Sequence, residues 1–307
     1  MMVLGLDTSN YTTSAAAFDG VSGKNCSRLL DVRPGELGLR QSDALFSHVK
    51  RLPELMTELF QTFPRGEIRA VGASTRPRAV EGSYMPCFLA GSSQAQNLAT
   101  VLGVPFYAFS HQQGHIAAAC WSSNRMDLMD RPHLAWHLSG GTTELLLVTP
   151  GHKNVNAEKI GGTQDISAGQ LIDRTGNTLG LRFPAGKEID RLSRESDCKE
   201  RFRVKLNGLE FSFSGLENKM HAFYELNKNP ADTAKYVLNC VCSCIVSVTR
   251  EALKQYPGFP VVFSGGVASN VQLRESCQGF EAVFSPPEFS TDNAMGIAVL
   301  TWLQGAE

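Results

Sequence analysis

The chain twice lays down a short apolar strand, a polar turn and a returning strand, and this repeat constrains its fold more than any other feature. Val3 to Leu6 runs into Asp7-Thr8-Ser9-Asn10-Tyr11-Thr12-Thr13 and returns through Ser14 to Phe18. His133 to Leu138 runs into Ser139-Gly140-Gly141-Thr142-Thr143 and returns through Glu144 to Val148. Turns rich in hydroxyls and glycine can set backbone N–H groups around an anion. Apolar periodicity elsewhere predicts helices over 42–60, 92–102, 165–181 and 234–255, and strands over 70–74, 104–109 and 260–264.

Strands interspersed with helices of these lengths call for sheets covered by helices. Two halves, each headed by a polar-turned hairpin, predict an α/β fold of the actin/hexokinase/Hsp70-like kind, with a duplicated mixed-sheet core. A nucleotide is expected in the cleft between the halves. Motif order puts the boundary near residue 110, giving halves 1–109 and 110–307, with the final helix 293–306 able to pack back on the first half.

The chain is long enough, at 307 residues, for two substantial cores. Its longest apolar runs, such as Leu145-Leu146-Leu147-Val148, are strand-length and far too short to cross a bilayer. The start, Met1-Met2-Val3-Leu4-Gly5-Leu6-Asp7, lacks a basic region and reads as a buried strand, so a cytoplasmic protein without membrane attachment is expected. Eight cysteines without paired spacing fit reduced thiols. Cys240, Cys242 and Cys244 alternate within a helical segment, where they cannot converge on one zinc. A net charge of −1 gives no global attraction to nucleic acid. Arg182, Lys187, Arg191, Arg194, Lys199, Arg201, Arg203 and Lys205 fall in one stretch. Acids are interleaved there, so a solvated mixed-charge face is expected, with a local basic patch as the alternative.

His111 and His115 stand four residues apart, leading into Ile116-Ala117-Ala118-Ala119. On a helix that spacing leaves the side chains about 40° apart around the axis, so both imidazoles can reach one ion. Asp292, in Ser290-Thr291-Asp292-Asn293, supplies a carboxylate to complete a divalent-metal set. His133 and His137 share the spacing but sit in a strand, and are expected to be structural. Ser139-Gly140-Gly141 and Ser264-Gly265-Gly266 can bring backbone close to a phosphate, the second at the start of a helix, and Asn270 offers a donor and an acceptor. Asp165, Asp173 and Asp190 read singly as solvated helix acids, or together with Pro184-Ala185-Gly186 as partners of a ribose or substrate hydroxyl.

Taken in order, His111-x-x-x-His115, Ser139-Gly140-Gly141, Asp173-Arg174-Thr175, Pro184-Ala185-Gly186, Phe211-Ser212-Phe213-Ser214-Gly215-Leu216, Ser264 to Asn270, and Pro287-Glu288-Phe289-Ser290-Thr291-Asp292-Asn293 resemble the TsaD family across nearly the whole chain. These are tRNA N6-threonylcarbamoyladenosine transferases. The resemblance implies one divalent ion, iron or zinc, held by His111, His115 and Asp292. It implies transfer of a threonylcarbamoyl group from threonylcarbamoyl-AMP to N6 of adenosine 37 of tRNA, with TsaB-like and TsaE-like helper proteins. It assigns Ser139, Gly140 and Gly141 to the phosphate side of the adenylate, and Asp173, Gly186, Asp190, Gly265, Gly266 and Asn270 to its binding. Asp7 and Ser139 are the residues expected to take part in catalysis. No serine–histidine or cysteine–histidine pairing argues for a protease.

The chain departs from the family pattern at several points. Asn10-Tyr11-Thr12 replaces Cys-Asp-Glu, Arg76-Pro77-Arg78 replaces Gly-Pro-Gly, and Thr142 stands where a histidine is usual. Asp165-Ile166-Ser167-Ala168-Gly169-Gln170 replaces Asp-Asp-Ala-Ala-Gly-Glu. A paralogue acting on another acceptor, and a non-catalytic nucleotide-binding scaffold, therefore stand as alternatives to the transferase.

Overall fold

The structure is a computed structural model that describes residues 1–32, 39–63 and 66–305. The chain divides into two compact units. The first comprises Met1–Pro132, Val148–Ala157 and Glu288–Glu307, and the second His133–Leu147 and Glu158–Pro287.

Unit 1 begins with β1 (Met2–Thr8), β2 (Thr12–Phe18) and β3 (Gly23–Leu29), continues through α1 (Gln41–Thr62), β4 (Ile68–Arg76) and α2 (Phe88–Leu102), and reaches β5 (Phe106–Ser110) and α3 (His111–Ser122). Its sheet has the order β3-β2-β1-β4-β5. The first three strands are antiparallel, and β4 and β5 add in parallel. Every residue of β1 and β2 is buried, which explains why both read as apolar runs rather than alternating ones. Leu52, Leu55 and Leu59 of α1 pack with Leu4, Leu6 and Val71 of the sheet.

Unit 2 holds β6 (His133–Leu138), most of β7 (Thr143–Gly151) and β8 (Asn154–Thr163), α4 (Ala168–Thr178), α5 (Gly186–Ser193), β9 (Leu206–Asn207), β10 (Glu210–Phe211), α6 (Ser214–Asn227), α7 (Pro230–Gln255), β11 (Val261–Ser264), α8 (Val271–Ser276) and β12 (Ala282–Phe284). Its sheet order is β12-β11-β6-β7-β8-β10-β9. The run β8-β7-β6-β11-β12 repeats the order of the first sheet, so the duplicated hairpin is the visible part of a duplicated topology.

Helix α7 is long and apolar enough to cross a membrane by length and composition, but 67% of its apolar window is buried inside the protein. Cys240, Cys242 and Cys244 are among its buried residues, and all eight cysteines are free. Burial pushes the thiols of Cys240 and Cys244 up to about 11 and 12, which leaves them inert.

The chain then passes through α9 (Pro287–Ser290) and ends in α10 (Met295–Gly305). Residue 306, the last of the expected final helix, lies outside the described residues. Helix α10 packs on α3, β1 and β4. At its crossing with α3, a Cβ on Gly296 would overlap the carbonyl of Gly114, so only glycine allows so close an approach. Because α3 packs against α10 and β5, it stays with the first unit. The division therefore falls after Pro132 instead of near residue 110, and His111 and His115 belong to unit 1.

Candidate metal centre and nucleotide loops

Helix α3 starts at His111 because Ser110 and Gln113 form a capping box. Ser110 Oγ accepts the Gln113 N–H at 3.2 Å, and Gln113 Oε1 accepts the Ser110 N–H at 2.9 Å. Gln113 also donates to the Val155 carbonyl at 2.8 Å, which fixes the helix start laterally. His111 and His115 then fall on one face with their ring planes 78° apart.

Their Nε2 atoms meet at 3.0 Å, and Asp292 Oδ1 lies 3.5 Å from His111 Nε2 and 3.3 Å from His115 Nε2. Tetrahedral ligands on bonds of about 2.0–2.2 Å stand roughly 3.3–3.6 Å apart. The two edges to Asp292 match that spacing and the edge between the histidines, at 3.0 Å, is shorter; the nitrogen and carboxylate donors suit zinc or iron.

Two residues orient this set. Asp7, at the end of β1 and 1% exposed, places Oδ2 2.7 Å from His111 Nδ1, while its Oδ1 accepts the Ser9 N–H at 2.9 Å. Ser9 Oγ donates to Asp292 Oδ2 at 3.0 Å. A carboxylate on Nδ1 holds the proton there and leaves the Nε2 lone pair facing the other donors. Asn293 secures the Asp292 loop, donating to the carbonyls of Phe289 and Thr291 and accepting the Met295 N–H.

The electrostatics call for a positive charge at this point. Burial works against a charged His111, but Asp7 and Asp292 outweigh it and raise its pKa to about 10. Burial would likewise raise Asp292, yet His111 and His115 hold its carboxyl well below the usual range. Without an ion the cluster retains a proton, and an ion would take that proton's place.

The residues expected around a nucleotide lie in unit 2. Ser139 closes the β6–β7 turn, its N–H donating to the Thr142 carbonyl at 2.8 Å and its Oγ accepting the Thr142 N–H at 3.1 Å. Gly140 accepts the Ser167 hydroxyl at 2.7 Å, while the space a Cβ would occupy on Gly140 or Gly141 is open. Gly265 has φ +90°, and a Cβ there would overlap the backbone of Leu138, so the two glycine turns lie against each other. Gly266 opens a 3-10 turn over Gly266–Ser269 instead of the expected α-helix; α8 begins only after Asn270, whose Oδ1 caps it at Leu273 N–H. Asn270 also donates to Asp190 Oδ1 at 2.6 Å, and Asp190 pairs with Arg194 through its other oxygen. Asp173 accepts the Ala185 N–H at 2.8 Å, beside Gly186 at the start of α5, and burial raises its carboxyl.

Several site features escape a reading of the sequence. Asp165 precedes α4 and is not a helix acid. It accepts from the N–H groups of Phe213 and Ser214 and from the Ser212 hydroxyl, and so pins the Phe211–Leu216 segment to the end of β8. Burial opposes its charge, but these donors hold the carboxyl well below its usual range. Gly169 would clash through a Cβ with Ser139 and Gly140, so it sets the distance between α4 and the turn. Ser9 carries no sequence signal as the orienter of Asp292. Ser110-x-x-Gln113 does carry one, as a capping-box pattern. The departures from the family pattern are accommodated without strain. Asn10 accepts from Gln41 at 2.6 Å, the Tyr11 carbonyl accepts the Leu30 N–H at 2.7 Å, and Arg76 and Arg78 are exposed.

The chain also matches known proteins. A family model described as TsaD, tRNA N6-adenosine threonylcarbamoyltransferase, matches residues 38–299. A tRNA N6-adenosine threonylcarbamoyltransferase of Carboxydothermus hydrogenoformans is 33% identical over 264 residues, covering 82% of this chain and 75% of that protein. One from Thermus thermophilus is 34% identical over 313 residues, covering 98% and 92%. Among solved structures, HypF of T. kodakarensis aligns with a TM-score of 0.64 at 13% identity, over 99% of this chain and 47% of that one. A ROK hexokinase from Thermus thermophilus aligns with a TM-score of 0.51 at 15% identity, over 99% of both chains. At these identities the two structures speak to the fold alone, and they agree with the hexokinase-like architecture read from the hairpin repeat.

Proposed function

Because the chain belongs to the TsaD family, we propose that it transfers the threonylcarbamoyl group of threonylcarbamoyl-AMP to N6 of adenosine 37 in tRNA. The observation that carries this reading is the triangle of His111 Nε2, His115 Nε2 and Asp292 Oδ1, built around a shared focus and braced by Asp7 and Ser9. In the transfer, the adenosine amine forms a bond to the carbamoyl carbon, the bond from that carbon to the phosphate oxygen breaks, AMP departs, and the amine gives up a proton.

A divalent ion, iron or zinc, would supply positive charge to the departing phosphate or the carbamoyl oxygen. His111, His115 and Asp292 would hold it. Asp7 keeps the His111 proton on Nδ1, and Ser9 fixes the rotation of the Asp292 carboxylate, so both act as positioning residues; this reassigns Asp7 from direct catalysis. We assign the phosphate side of the adenylate to Ser139, Gly140 and Gly141, where open space lets a ligand approach the backbone. Gly265 and Gly266 support that turn, while Asp173, Gly186, Asp190 and Asn270 are assigned to the adenosine. TsaB-like and TsaE-like helper proteins belong to the same proposal.

Complementation in cells depleted of their own transferase tests this reading, with tRNA nucleosides analysed by mass spectrometry. Restored threonylcarbamoyladenosine in wild type but not in His111→Ala/His115→Ala supports it; no restoration by well-folded wild type supplied with the helpers refutes it. A diverged paralogue with a different acceptor is the second reading. It is favoured by Arg76, which lies opposite Ser110 in the β4–β5 register, one residue before His111.

A further inference from the structure

The segment from Ser196 to Lys205, between α5 and β9, is fastened to α7 at alternate residues. Ser196 Oγ donates to Asp232, Asn239 Nδ2 donates to the carbonyls of Cys198 and Glu200 at 3.0 and 3.1 Å, and the Phe202 N–H reaches Cys240 Sγ at 3.0 Å. Phe202 packs against the core of unit 2, and Val204 lies within it. Of the even-numbered side chains, Cys198 and Phe202 are half-buried and Val204 is buried, while Glu200 is exposed. Lys199, Arg201, Arg203 and Lys205 are all exposed.

Arg182 and Lys187 are exposed, and the other basic residues of this region fall into two groups. Arg191 of α5 sits between Glu188 and Glu195, and Arg194, just beyond the helix, against Asp190, so these two are neutralised locally. Among the described residues, no acid forms an ion pair with Lys199, Arg201, Arg203 or Lys205. The exposed acids nearest in sequence are Asp197, at one end of the row, and Glu200. Lys219 adds another cation, its Nζ 5.9 Å from the centre of the Phe202 ring.

The hydrogen bonds to α7 fix the backbone and hold four like charges on one short segment, which is unfavourable unless something negative lies beside it. We propose that the strip from Lys199 to Lys205 is a binding surface for the phosphate backbone of RNA. The proposal rests on the tRNA-modifying reading above and assigns that substrate a place on unit 2. A nucleic-acid backbone is a continuous run of negative charge that can engage several cations of one segment. A membrane surface fits less well, because Phe202 and Val204 turn inward and leave no apolar side chain in the row to insert.

The test uses the full chain and unmodified tRNA, with affinity measured across a salt series. In Lys199→Ala/Arg201→Ala/Arg203→Ala/Lys205→Ala, the slope of log affinity against log salt should flatten by about 3, and affinity near 0.1 M salt should fall at least about tenfold. The thermal midpoint and AMP binding should not change, because these side chains make no ion pair that the fold uses. In the control Arg191→Ala/Arg194→Ala the slope should hold. If wild type binds tRNA and the quadruple variant keeps its slope, the strip is refuted and the transferase reading stands. An equal loss of slope in the control also refutes it, since general charge would then suffice. If wild type shows no salt-dependent tRNA binding, the strip is refuted, and the complementation test alone decides the transferase reading. A loss confined to phosphatidylserine vesicles would overturn RNA as the ligand.

Discussion

Replacing Asp7 by asparagine barely changes the size or shape of the side chain, yet it should disable the metal set. Asp7 Oδ1 accepts the Ser9 N–H at 2.9 Å and Oδ2 faces His111 Nδ1 at 2.7 Å, with the Asp7 side chain itself buried. In Asp7→Asn, an amide oxygen kept on the Ser9 side leaves the NH2 group pointing at Nδ1. His111 must then accept there and carry its proton on Nε2, the atom that faces His115 and Asp292, which removes a ligand lone pair. If the amide turns round, its NH2 group confronts the Ser9 N–H and leaves that buried donor without a partner, at about 1–3 kcal/mol. Loss of an outer carboxylate partner typically weakens metal binding about 10–100-fold, equivalent to roughly 1.4–2.8 kcal/mol. Both routes converge on that range. Zinc titration against a competing chelator, in wild type and Asp7→Asn, measures it. An affinity within about twofold of wild type would show that Asp7 does not set the His111 tautomer.

Metal binding should release a proton at neutral pH. His111 is protonated below about 10 in the metal-free state, because Asp7 and Asp292 overcome its burial, and a ligand imidazole must be neutral. Apparent affinity should therefore rise with pH by up to about tenfold per unit towards that value, and calorimetry in buffers of different ionisation enthalpy should count the proton; no release would contradict the assignment. His48 predicts acid sensitivity of the opposite origin. Burial lowers its pKa from 6.5 to about 4, so below 6.5 the unfolded chain takes up a proton that the folded chain refuses. Stability should fall by about 3 kcal/mol between those values, and denaturant titrations of His48→Gln should show a weaker pH dependence than wild type. Gly140→Val and Gly141→Val should leave the fold intact, since the space for a Cβ is open, while weakening AMP binding at least about tenfold. Unchanged affinity by calorimetry would remove the turn from the phosphate site. Gly265→Val cannot separate the two effects, because its side chain would strike Leu138 in any event.

The strands and helices that are apolar throughout can be read from the sequence, as can the placing of His111 and His115 together on one helix face. The hairpin turns are legible because glycines and hydroxyls interrupt otherwise apolar runs. Strand β8 is not, since the alternation of Asn154 to Glu158 is broken by Lys159 and by Gly161-Gly162. The boundary near residue 110 fails for a different reason. It follows chain order, whereas α3 is claimed by α10 from the far end of the chain. Asp7 and Asp165 mislead because a carboxylate's role depends on which donors the tertiary fold brings to it. His111 Nδ1 is 104 positions from Asp7, and the Phe213 N–H is 48 from Asp165. Neither spacing leaves a local mark.

The interlocking of Gly114 with Gly296 bears on the order in which the protein is built. Unit 1 owns both the opening stretch and Glu288–Glu307, while all of unit 2 lies between them in the chain. During synthesis from the N-terminus, His111 and His115 exist long before Asp292, and the sheet of unit 1 must wait for α10 to cover β1 and β4. The second unit has all its strands before the first can close. Capture of a metal by the proposed set His111, His115 and Asp292 would therefore be a late event in the life of each new chain, and a nascent protein halted short of Asp292 would carry two histidines without that carboxylate.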